Sequence, residues 1–168
     1  SYVSHCKAAA ISPRRSMTSI SKARFLIWEQ STKEEKILTI RDLIKFGSGA
    51  DWKTVLVSAN ILQQELPVRF ARRIHELQLL PGPLLATKSL TDLAKLYEDS
   101  FIRITDQEPP RNARTEENFS NMLFEIKELH KAAQANIAVG FAEMQRAGLP
   151  RAAIETDEIQ ELLTRYFA

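Results

Sequence analysis

Between Leu62 and Leu80 apolar residues return every three or four positions: Leu62, Leu66, Phe70, Ile74 and Leu77. That period puts them on one face of a helix, with Arg69, Arg72, Arg73 and Glu76 left for water. A helix this long needs other helices to cover its stripe, so the stretch constrains the whole fold. Pro67 lies inside the pattern, where it removes one backbone donor and predicts a kink. Pro81-Gly82-Pro83 predicts the stop.

The rest of the chain reads the same way. Thr32-Lys33-Glu34-Glu35 has the form of a capping box ahead of Ile37, Leu38, Ile40, Leu43, Ile44 and Phe46, with Gly47 and Gly49 as the stop. The long helix starts near Asp51. Ser89-Leu90-Thr91-Asp92 predicts the start of another, carrying Leu93, Leu96, Tyr97, Ser100 and Phe101. Residues 105–115, with Pro109-Pro110, predict a loop. One long helix is expected after Thr115, with Phe119, Met122, Leu123, Ile126, Leu129, Ala133, Ile137, Phe141 and Met144 on its apolar face and Gly148-Leu149-Pro150 ending it. A last helix is expected from Thr156 through Ile159, Leu162, Leu163 and Tyr166 to the end of the chain. No strand alternation is visible. Helices with one apolar stripe each bury those stripes only against each other, so the expected class is all-α, an up-and-down four-helix bundle.

Composition sets the function classes aside. At 168 residues the chain is long enough for one domain with a core. No apolar run approaches the roughly 18 residues that span a bilayer. One cysteine, Cys6, rules out an internal disulfide framework, and three scattered histidines offer no zinc spacing. The net charge of +2 is uneven: residues 1–28 hold Lys7, Arg14, Arg15, Lys22 and Arg24 and no acid. The remainder holds 23 − 5 = 18 Lys+Arg against 21 Asp+Glu, so the folded part does not read as a nucleic-acid binder. Residues 1–30 read as a basic arm, either a mitochondrial transit segment, being rich in Arg and Ser and free of acid, or a disordered arm of no specific role. Residues 31–168 read as the helical domain.

Little in the chain reads as catalytic. Neither common Gly-rich phosphate loop occurs, nor a Cys–His pair. His130 falls on the apolar face of its helix, four residues after Ile126 and seven before Ile137. A lone histidine there is more often a hydrogen-bonded core residue than a ligand or base. The functional alternative is an imidazole tuned by burial and a partner, with Lys127 helping it to hold a small carboxylate. Tyr97 and Ser100 offer hydroxyls to the same interior, or form an ordinary bundle seam. The charged face from Glu65 to Glu76 reads as solvated, with Arg69 free to meet a partner.

Several segments resemble the mitochondrial pyruvate dehydrogenase kinases and branched-chain α-keto acid dehydrogenase kinases. They are Ile40 to Gly47, Gln64 to Arg69 with Leu80-Pro81, Leu96-Tyr97-Glu98-Asp99-Ser100-Phe101, His130-Lys131 with Gly140, and Ile159-Gln160 with Arg165-Tyr166-Phe167, all in the family's order. The His-Lys pair leans towards the branched-chain type. The resemblance implies a bundle like histidine-kinase phosphotransfer domains, in an enzyme that phosphorylates serine. It implies a lipoyl-domain docking surface near Phe46 and Ile61. It also implies an allosteric α-keto acid pocket at Phe70, Tyr97, Ser100, Ile126, Lys127 and His130. Lys127 departs from the arginine of pyruvate-responsive members. The implied parent is a homodimeric matrix kinase that uses ATP and Mg to phosphorylate and inactivate the decarboxylase subunit of its complex. Its nucleotide motifs and catalytic residues have no counterpart in these 168 residues, so this chain alone is expected to be inactive, with no catalytic residue, metal or cofactor of its own. A stand-alone helical binding module is the alternative of another class. A phosphotransfer domain using His130 is a third, and needs that histidine exposed.

Overall fold

A computed structural model describes residues 17–37, 39, 40, 44, 51–148, 161 and 164. Among these residues every regular element is a helix. The helices are α1 (Met17–Ser31), α2 (Trp52–Gln78), α3 (Gly82–Leu85), α4 (Lys88–Asp106), α5 (Ala113–His130) and α6 (Ala133–Arg146). The fold is the all-α bundle that the apolar periodicity predicts. Phe46, most of the helix expected after Thr32, most of the helix expected from Thr156 and the first part of the basic arm lie outside the described residues.

α2 is the long helix. The Asp51 side chain caps it, accepting from the Thr54 amide at 2.7 Å. It runs as one helix through Pro67, which is buried. Its buried residues are Ala59, Pro67, Val68, Ala71, Ile74 and Leu77, and Leu62 of the expected stripe is exposed. The arc is displaced because α2 is covered on two sides, by α4 and by α1. Three clusters make up the core. Leu77, Leu80, Leu84, Leu90, Leu93, Ala133, Ile137 and Met144 join α2, α3, α4 and α6. Ala59, Ile104, Phe119, Met122 and Ile126 join α2, α4 and α5. Ile27, Ala71, Ile74 and Phe101 join α1, α2 and α4.

Four expectations are corrected. Thr32–Glu35 does not open a helix: the Ser31 and Thr32 hydroxyls donate to Trp28 and Glu29 carbonyls and close α1. Glu35 is instead drawn onto α2, 3.5 Å from Arg69 and 3.7 Å from Arg72. Residues 17–30, read as part of an arm, are helical and belong to α1. The start of α4 falls at Thr87, whose side chain makes no cap; the Ser89 amide and hydroxyl donate to the Glu143 carboxylate at 3.1 and 2.8 Å. That carboxylate comes from α6, so a neighbouring helix serves as the cap. Finally, the single long helix after Thr115 is two, broken at Lys131-Ala132, and Leu129 next to the break is exposed. No Gly or Pro marks the break. It falls where packing passes from the cluster around Phe119 to the one around Leu90.

Candidate functional site

The site lies where the three clusters meet. Phe70 on α2 packs against two of them, and Tyr97 on α4 against one of those two and the third. His130, the last residue of α5, reaches both rings. Its centroid is 5.3 Å from Phe70 and 4.6 Å from Tyr97, the latter edge-on, while Phe70 and Tyr97 are 5.6 Å apart. Such tilted aromatic pairs are favourable because ring edges carry the positive end of the quadrupole. One turn along α4 from Tyr97, Ser100 is 2% exposed, and its Oγ and His130 Nε2 share a 2.9 Å hydrogen bond.

These contacts follow from local sequence. Tyr97 and Ser100 are three apart and therefore on one side of α4. α5 is set in register by its capping box: the Asn112 side chain accepts from the Thr115 amide, and the Thr115 hydroxyl accepts from the Asn112 amide. From that start Phe119, Met122 and Ile126 face the core, and His130 continues their stripe one turn beyond.

Burial pushes the His130 imidazole below its ordinary value of 6.5. The ring is therefore neutral at physiological pH, with one nitrogen a donor and the other an acceptor. Desolvation is the cause, and no carboxylate among the described residues contributes to it. The Ser–His pair thus lacks the orienting acid of a nucleophilic triad, and Ser100 is closed off from a substrate carbonyl. A half-buried imidazole held against two rings, with Nε2 taken up by Ser100, is not the exposed histidine a phosphotransfer domain presents. What the arrangement can do is hydrogen-bond a small polar group against an aromatic wall.

Of the residues singled out in the sequence, Phe70, Tyr97, Ser100 and His130 come together. Ile126 is buried in the cluster against which Phe70 packs. Lys127 does not join them: its side chain is exposed, with Nζ 5.4 Å from the centroid of the exposed Phe124 ring. Ile61 is half-buried on α2, nine residues before Phe70. The charged face of α2 is not simply solvated. Arg72 donates to the Lys33 carbonyl through Nε and Nη2, Arg69 donates to the Lys36 carbonyl at 3.3 Å, and Glu65 accepts the Lys36 amide at 2.9 Å. Together with Glu35 they clamp residues 33–36 across α2. Sequence reading placed these charges but had no signal for the segment they hold.

Among the described residues no group of three His, Cys, Asp or Glu side chains is placed to hold a metal ion. No helix of the described residues is long and apolar enough to cross a membrane.

Comparison with known proteins points to one family. Residues 37–168 match a family model described as mitochondrial branched-chain alpha-ketoacid dehydrogenase kinase. An Arabidopsis thaliana protein named mitochondrial [pyruvate dehydrogenase (acetyl-transferring)] kinase is 28% identical over 130 residues, 77% of this chain and 35% of its own length. The Mus musculus kinase isozyme 3 of the same name is 34% identical over 109 residues, 63% of this chain and 26% of its own length. The Rattus norvegicus isozyme 1 is 29% identical over 134 residues, 77% of this chain and 30% of its own length. The chain thus spans about a third or less of the length of these relatives.

Proposed function

Because the chain belongs to the mitochondrial branched-chain alpha-ketoacid dehydrogenase kinase family, we propose that it is the regulatory and lipoyl-domain-docking part of a mitochondrial protein serine kinase. The parent enzyme transfers the γ-phosphate of ATP to the decarboxylase subunit of an α-keto acid dehydrogenase complex and inactivates it. The observation that carries the regulatory half of this reading is the Ser100–His130 pair walled by Phe70 and Tyr97. A small α-keto acid presents a carboxylate and a carbonyl to the hydroxyl and imidazole, and an apolar tail to the rings. Lys127 serves the carboxylate only by leaving Phe124, which makes it the weakest member of the set.

Neither common Gly-rich phosphate loop occurs in the sequence, and no group of three His, Cys, Asp or Glu among the described residues is placed to hold a metal. Phosphoryl transfer is a matter of positioning and charge stabilisation by a cradle for nucleotide and metal, so the reading assigns that chemistry to the remainder of the parent, together with its dimer contact. This chain contributes effector sensing and attachment to the complex, the attachment through Ile61 and, by family resemblance alone, Phe46, which lies outside the described residues.

Calorimetric titration with lipoyl domains of the pyruvate and branched-chain complexes, each lipoylated and unlipoylated, tests the docking half. The reading expects one lipoylated domain to bind at least about tenfold more tightly than its unlipoylated form, a difference of about 1.4 kcal/mol. Equal affinity for the two forms of both domains, or no binding at all, removes docking from this chain.

A further inference from the structure

We infer that proteolytic removal of the basic N-terminal segment stops before α1, so that α1 belongs to the mature protein. The inference deepens the mitochondrial reading and rests on it. Acid-free composition runs through residue 28 and on its own would assign everything up to there to a removable presequence. The structure divides that stretch. In α1, Lys22, Arg24, Phe25 and Trp28 are exposed, while Ala23, Leu26 and Ile27 turn inward.

Ile27 is buried and completes the cluster of Ala71, Ile74 and Phe101, each at most 1% exposed. A chain cut after α1 would present that apolar face of α2 and α4 to water, a contiguous patch of the kind that drives association. The cut would also shorten the tether of residues 33–36, which Arg69, Arg72 and Glu65 hold against α2. A presequence is read by a receptor and a protease while the chain is extended, and has no need of a buried face. α1 has one. Lys22 and Arg24 are therefore the solvent edge of a docked helix, and the targeting charge resides upstream of it.

The protein is expressed in cells from its complete reading frame with a C-terminal tag, recovered from isolated mitochondria after external protease treatment, and its N-terminus read by mass spectrometry. The expected N-terminus lies no later than Met17. One inside α1 or beyond Ser31 overturns the inference and leaves the mitochondrial reading standing. So does import with no shortening. A chain that never becomes protease-protected removes the mitochondrial reading itself and this inference with it. Two purified variants give a second arm, one starting at Met17 and one at Thr32. The first is expected to melt with the full chain, and the second roughly 5 °C or more below it. Equal melting of the two shows α1 to be dispensable and overturns the inference.

Discussion

A hydroxyl as enclosed as that of Ser100 must be hydrogen-bonded, and His130 Nε2 is the partner it has. The same burial that demands this bond holds the imidazole neutral, and a pH dependence follows. His130 has a folded-state pKa below its unfolded value, so the native state binds fewer protons. The contribution is fully present above about 6.5, the unfolded value, and is lost as pH falls below it towards the folded value. Urea midpoints at pH 7.5 and 5.5 are expected to diverge in the natural chain, and to diverge less in His130→Asn. An unchanged gap would place the acid sensitivity elsewhere. Much of this site was legible at the residue scale. Spacing put His130 on the apolar stripe and Tyr97 and Ser100 on one side of a helix. The outward course of Lys127 was also implicit, since a residue one step after Ile126 sits about 100° round the helix. What spacing could not supply was the meeting of α2, α4 and α5, which depends on contacts far apart in the chain.

At the scale of elements, Gly140 shows how close α4 and α6 come. A Cβ built there would lie 1.9 Å from Leu90 Cδ2 and 3.1 Å from Thr87 Oγ1. Leu90 is fully buried and has nowhere to retreat. Gly140→Ala is therefore expected to destabilise the chain by about 1–3 kcal/mol despite the better helix propensity of alanine, measured by urea unfolding. Neutral behaviour would mean that α6 can shift away from α4 at little cost. The caps divide in the same way between local and remote causes. Asp51 and Asn112 are local caps, and each lies within three residues of the amide it serves. The cap of α4 is not local, since Glu143 is 54 residues from Ser89. Bonds from the Ser89 amide and hydroxyl hold the Glu143 carboxyl below the usual carboxylate range. The break between α5 and α6 likewise has no local signal.

For the whole molecule, α1 and the segment after it act as a cover fastened to α2. The fastening is partly apolar, through Ile27, and partly polar, through exposed pairs such as Arg72 with Glu35. Exposed ion pairs contribute little, so Arg72→Ala is expected to cost less than about 1 kcal/mol of global stability. It should instead speed hydrogen exchange at the Lys36 amide, which Glu65 accepts within the clamp. Unchanged exchange at Lys36 would show that Arg72 is not part of what holds the segment. The chain's apolar periodicity by itself determined an all-helical bundle, the extent of its longest helix and the faces from which the site residues project. Those properties depend on residues a few positions apart, and helix geometry relates such residues without reference to the rest of the molecule. Only the tertiary structure decided that a basic stretch becomes a docked helix, and that Glu35 pairs with α2 instead of capping a helix. It also decided that Glu143 caps α4 and that Ser100 meets His130. Each of these joins residues about 30 or more apart in sequence, or a whole helix to the core, and is settled by which apolar faces must be covered once the helices are packed.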